Sequence, residues 1–249
     1  MKLSAVWSPL ACLAVLAITA SSLNAQTVLI DFGNDSSFRG ISVPGPDSNG
    51  NSWTSVWSGA YYPNLVDTAG NPTPFAFGFD PSAPGGTDSY NGPAGATDSG
   101  VPADHLVNVD IDAAALGDLG GSLEAAIDFS DNARFQVQGL DPSKTYDLTF
   151  FGSHKYNNNN TTTYSLHDVG FVNQFESVDL VVGVNELHNR DMTATLSGVS
   201  PQPDGILYVQ SLGYINAMSV TAVPEPGAIA LLAGGCGLLA IVARRRKRA

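Results

Sequence analysis

Residues 134–153 read RFQVQGLDPSKTYDLTFFGS. RFQVQGL leads into DPSK, a turn with Pro at its second position. TYDLTFFGS then places Tyr146, Leu148 and Phe150 on one face, the period-two pattern of a half-buried strand. The same grammar continues downstream in TTTYSLHD, SVDLVVGV, MTATLSGVS, GILYVQSLG and YINAMSVTAV. Upstream, TVLIDFG (27–33) puts Val28, Ile30 and Phe32 on one face and Leu29 on the other. Apolar residues on both faces predict an interior strand. At least seven strand candidates and no long helix are present. Closing that many sheet edges predicts an all-β fold, a single β-sandwich or jelly roll over residues 26–222. AAALGDLGGSLEAA (113–126) predicts one short helical turn, interrupted by glycines. Residues 34–100 are dominated by Gly, Pro, Asn, Asp and Ser and read as long loops. Asn157–Asn160 reads as a solvated turn.

Both ends lie outside this pattern. Residues 1–25 read as a secretory signal peptide: Lys2, an apolar core LACLAVLAITA, then small residues before cleavage after Ala25. Cys12 sits behind Pro9 in SPLAC, a poor lipoprotein site. Residues 223–249, VPEPGAIALLAGGCGLLAIVARRRKRA, join Pro224-Glu225-Pro226 to a 17-residue apolar run and a basic end containing Arg244, Arg245 and Arg246. Such a run forms about 25 Å of helix, the lower limit for a membrane span. Gly234, Gly235 and Gly237 weaken it. The basic end favours the cytoplasmic side, and the two prolines keep the peptide ahead of the helix extended.

The formal charge of −12 understates the acidity of the middle. Six of the 11 Lys+Arg lie in the terminal segments, and only Glu225 of the 23 Asp+Glu does. Five basic residues therefore face 22 acidic ones, a net charge of −17. Such a surface repels nucleic-acid phosphates and anionic lipid, and favours solubility. Both cysteines, Cys12 and Cys236, are terminal. The middle therefore has no disulfide, thiolate nucleophile or Cys-ligated zinc.

Two resemblances follow from these residues. The tail resembles the PEP-CTERM sorting signal of Gram-negative bacteria. That resemblance implies export, transient residence in the inner membrane, and recognition by an exosortase-type enzyme that acts near the triplet. It also implies delivery to the cell envelope or the exopolysaccharide matrix of biofilm-forming cells. RFQVQGLDPSKTYDLTFFGSHK, MTATLSGVSPQPDGILYVQ and YINAMSV resemble the galactose-binding-like jelly rolls of secreted bacterial proteins, whose members often bind glycans or structural calcium.

Candidate chemistry is sparse. FGNDSSFRG (32–40) is similar to the nucleophile block of SGNH hydrolases, but Asn34 splits Gly33 from Asp35. None of the four histidines follows an acidic residue by three positions, so Ser36 and Ser37 lack a base. Asp47, Asn49 and Asn51 match the first ligands of a calcium loop. Ser52 and Ser58 replace its glycine and glutamate. Either a noncanonical structural calcium or an Asx turn explains them. Trp53, Trp57, Tyr61 and Tyr62 either stack on sugar rings or fill the core. His154 reads as a surface residue at a strand end. His188 and Arg190 could face a ligand, with Asp191 placed to pair Arg190. No cofactor is implied. The expectation is a non-enzymatic exported protein, with carbohydrate binding as the alternative and an esterase behind it.

Overall fold

The computed structural model describes residues 25–37, 40–83, 85–89, 110–154, 160–184 and 187–224. The signal-peptide reading, most of the Asn157–Asn160 turn, and the sorting segment beyond Pro224 lie outside the described residues. Residues Gln26–Ala222 form one unit. In chain order its strands begin with β1 (Thr27–Asp31), β2 (Thr54–Ser55), β3 (Tyr61–Tyr62), β4 (Ala76–Phe79) and β5 (Gly86–Ser89). Helix α1 (Ala113–Leu116) and two 3-10 turns, Gly117–Gly121 and Glu124–Ala126, follow. Then come β6 (Asp128–Asp131), β7 (Arg134–Gln138), β8 (Tyr146–Phe151) and β9 (Asn160–His167). After a 3-10 turn at Val169–Phe171, the chain ends with β10 (Gln174–Val184), β11 (Leu187–His188), β12 (Ala194–Val199), β13 (Leu207–Leu212), β14 (Tyr214–Ile215) and β15 (Ala217–Ala222).

Five strands in the order β12-β8-β15-β1-β2 form one sheet, and seven in the order β11-β10-β9-β13-β7-β4-β3 form the other. A small third sheet runs β14-β6-β5. The eight long strands pair outermost with outermost: β1 with β15, β7 with β13, β8 with β12, β9 with β10, all antiparallel. Successive pairs alternate between the two large sheets. That is a long hairpin rolled over itself, the winding of a jelly roll.

The inward residues are those that the alternation assigned. Val28, Ile30 and Phe32 meet Tyr146, Leu148 and Phe150 in the sandwich core. Phe32, Phe77, Phe79 and Phe135 pack edge-on or tilted, with centroids 5.0–6.2 Å apart. Phe150 stacks on Tyr164 at 4.4 Å. Tyr164 keeps its hydroxyl satisfied by donating to the Tyr214 carbonyl at 2.8 Å. Burial pushes that phenol well above its ordinary range.

Leu29, on the opposite face of β1, enters a second core. Val43, Trp53, Leu116, Leu119, Ile127, Phe151 and Ala217 complete it. The segment 111–127 thus covers the outer face of the five-stranded sheet. Asp112 caps α1 by accepting from the Ala114 and Ala115 N–H groups at 3.1 Å. Gly117, at φ +58°, ends it. The DPSK turn forms as expected: Lys144 N–H donates to the Asp141 carbonyl, and Asp141 N–H donates to the Tyr146 hydroxyl.

Phe135 sits at the centre of the aromatic cluster. Phe135→Ala is expected to cost about 3–5 kcal/mol, read as a lower denaturant midpoint. Phe175→Ala, at a residue 54% exposed, should stay within about 0.5 kcal/mol.

Candidate functional site

The loop at Asp47 folds around its carboxylate. Oδ1 accepts the Asn49 and Asn51 N–H groups, each at 2.9 Å, and Oδ2 accepts Trp53 Nε1–H at 2.7 Å. Asn49 Nδ2 turns away to the Gly117 carbonyl. Asp47, Asn49 and Asn51 therefore form an Asx turn and do not converge their side-chain oxygens as calcium ligands. The motif has a twin that the sequence reading missed. Asp67 Oδ1 accepts from Ala69 and Asn71 N–H, and Asp67 N–H donates to the Asn71 carbonyl, as Asp47 N–H does to Asn51. The common pattern Asp-x-x-Gly-Asn, twenty residues apart, was the available signal.

The four aromatics divide. Trp53 is 9% exposed and belongs to the second core. That corrects its assignment as a sugar platform: its indole is buried and its N–H already donated. Tyr62 is turned inward against the sandwich core. Its hydroxyl accepts Trp57 N–H at 3.0 Å and Asn34 Nδ2–H at 3.3 Å. Only Trp57 (41%) and Tyr61 (58%) present rings to solvent.

Tyr61 continues into a row that crosses five strands of the seven-stranded sheet. By register Tyr61 faces Gly78, Gly78 faces Gln136, Gln136 faces Tyr208, and Tyr208 faces His167. Their neighbours Tyr62, Phe77, Phe135, Val137, Val209 and Leu166 point into the core. Alternation therefore puts the row on the outer face. Five adjacent strands make it about 19 Å long at the usual strand spacing. A Cβ at Gly78 would stand 3.0 Å from the Tyr61 ring, so glycine seats that ring against the sheet. Gln138 donates to Gln136 Oε1 at 2.8 Å, Tyr208 donates to Asp204, and Ser165 Oγ lies 2.9 Å from His167 Nε2. Burial, then the nearby Arg134 charge, lowers the His167 pKa. Both effects favour the neutral imidazole. Sequence reasoning missed Gln136, Gln138 and Tyr208 because the row exists only across strands.

The remaining candidates scatter. Ser37 Oγ accepts Asn34 N–H at 2.9 Å, and Ser36 N–H donates to Asn34 Oδ1. His154 is buried, stacked on Tyr214 at 3.8 Å, and is not the surface residue expected. Arg190 pairs with Asp110 at 2.7 Å, not with Asp191, and His188 Nε2 lies 3.3 Å from the same carboxylate. Among the described residues, no group of three His, Cys, Asp or Glu side chains converges as a metal site.

The last strand, β15, ends at Ala222, and Pro224 follows exposed. An all-β exported domain followed at once by a proline-bounded, apolar, basic-ended segment defines a sorted precursor. Residues 222–247 match the PEP-CTERM protein-sorting motif. That motif implies export, a membrane-anchored precursor and recognition by an exosortase-type processing enzyme. No curated protein and no solved structure matches the chain. Among the described residues no helix is long and apolar enough to cross a membrane.

Trp53→Ala removes a core indole and leaves Asp47 Oδ2 without its donor. A loss of about 3–5 kcal/mol is expected, seen as a lower Tm. Trp57→Ala should leave Tm within about 2 °C, the scale of a surface change.

Proposed function

We propose that this is a non-enzymatic protein of the cell envelope or exopolysaccharide matrix, put in place by its C-terminal sorting segment. The observation that carries this reading is the join at Ala222. The sandwich is complete one residue before Val223, and Pro224 follows exposed. A processing enzyme can therefore act on the Pro-Glu-Pro handle without unfolding the domain. Ser36 and Ser37, the nucleophile candidates, have side-chain and backbone bonds within their own turn, which supports a structural role. Mass spectrometry of the protein recovered from envelope and culture medium tests the proposal. The expected form ends near residues 224–226. A mature protein that retains Ala249 overturns it.

The cross-strand row favours a second reading, a carbohydrate-binding module. Its flat ring at Tyr61 and the amides of Gln136 and Gln138 combine a stacking face with hydroxyl-directed hydrogen bonding. This site replaces the one centred on Trp53. On a glycan array, Tyr61→Ala with Gln136→Ala should weaken binding about tenfold, or ~1.4 kcal/mol, at unchanged Tm. Binding unaffected by that pair rejects the surface.

A further inference from the structure

Arg134 opens β7 on the outer face of the seven-stranded sheet, the face that Gln136 and Gln138 share by alternation. Its side chain is half-buried, and Nε is covered without a hydrogen-bond partner. The guanidinium lies over the Phe171 ring, 5.3 Å from its centroid. Phe171 also packs on His167 and Tyr208, with ring centroids 5.7 and 5.6 Å away. The turn that brings Phe171 there is strained: the residue sits at φ +59°, a region that bulky side chains rarely adopt. Asp168 holds that turn by accepting the Val172 and Asn173 N–H groups at 3.0 and 2.8 Å. A buried aromatic ring thus steadies a cation beside the His167 end of the cross-strand row.

In a domain of 22 acidic and five basic residues, a cation without a carboxylate partner is unexpected. Lys144 pairs with Asp141 and Arg190 with Asp110, but among the described residues no ion pair reaches Arg134. The carboxylates that border this end of the row are taken up by their own turns. Asp80 accepts Ser82 N–H at 2.7 Å and the Ser82 hydroxyl at 2.6 Å. Asp204 accepts Ile206 N–H and the Tyr208 hydroxyl, and Asp168 is occupied as described. We infer that the glycan taken by the row is acidic, a uronate-bearing polysaccharide whose carboxylate is received by Arg134; the inference rests on the carbohydrate-binding reading of that face. Arg134 lies two strands and two residues from Tyr61, about 12 Å by ordinary strand geometry. One oligosaccharide can therefore stack on Tyr61, bond to Gln136 and set a carboxylate on Arg134. The guanidinium fork matches a planar carboxylate in a way that an ammonium does not. Repulsion from the acidic surface elsewhere confines such a chain to this face.

The test is calorimetric titration of the full chain with a panel of oligosaccharides: oligomers of glucuronate, galacturonate, mannuronate and guluronate, their methyl esters, and neutral oligomers of the parent hexoses. At least one uronate oligomer is expected to bind. Its methyl ester should bind about ten- to a hundredfold more weakly, the scale of a charge-assisted hydrogen bond. Arg134→Gln should lower uronate affinity by the same factor and leave affinity for the methyl ester unchanged. Arg134→Lys should recover only part of the loss, since the charge remains without the fork. Equal binding of acid and ester overturns this inference and leaves the carbohydrate-binding reading standing. So does an Arg134→Gln variant that binds the uronate as wild type does, and so does binding confined to the neutral oligomers. Binding by no member of the panel rejects the carbohydrate-binding reading itself, and this inference with it. Should Arg134→Gln fail to fold, the wild-type comparison of acid with methyl ester decides alone.

Discussion

The pairing of the first strand with the last is the constraint on which this domain depends. β1 and β15 run antiparallel from Thr27↔Thr221 to Asp31↔Ala217, and the Thr27 and Thr221 hydroxyls meet at 3.0 Å. β15 also pairs with β8 along its whole length. The five-stranded sheet therefore lacks its middle until the last residues before the tail are in place. Joining strands nearly 200 residues apart carries a loop-closure cost that local structure does not offset. The fold and the sorting segment are thus linked in sequence: the strand that completes one abuts the motif that opens the other. The two exits of the domain are also neighbours, since Ala222 N–H donates to the Gln26 carbonyl at 2.9 Å.

With no cysteine between its terminal segments, the domain joins its layers with buried amides. Asn216 accepts Ser153 N–H at 2.7 Å and donates to the Ala126 carbonyl at 3.1 Å, which ties the sheet to the covering segment. Asn189 donates to the Gly152 and Met192 carbonyls. Each bond alone contributes about 1 kcal/mol net, but a buried amide left unsatisfied costs more than that. These networks therefore specify one arrangement of the layers as well as stabilise it. The second core shows why this matters. It holds Trp53 and Leu29 only if segment 111–127 lies flat on the sheet.

The sorting segment and the proposed glycan surface fall at two levels of visibility. The sorting segment is local: an extended proline triplet, an apolar run and a basic end act through their order along the chain. The outer row Tyr61-Gly78-Gln136-Tyr208-His167 is the opposite case. Its members come from five strands and are separated by up to 147 positions, from Tyr61 to Tyr208. Nothing in any one strand marks them, because a polar residue on the face of a strand away from the core is the ordinary outcome of alternation, and Phe171, which packs on His167 and Tyr208, comes from a separate turn. Trp53 was ambiguous for a related reason. An aromatic in an Asn-rich loop suits a sugar platform or a core equally, and only the second core, built from residues far along the chain, claims it.

The sequence by itself determined the strand faces, the all-β class, the Asp141 turn, the short helix and the sorting tail. Each rests on a period or a contiguous motif, so the physics that sets it acts over a few residues. Tertiary structure alone decided the pairing order of the eight long strands and the division of the aromatics between core and surface. Those outcomes depend on which distant surfaces become neighbours. The second core that claims Trp53 exists only after the first strand, the covering segment and the last strand have closed on one another.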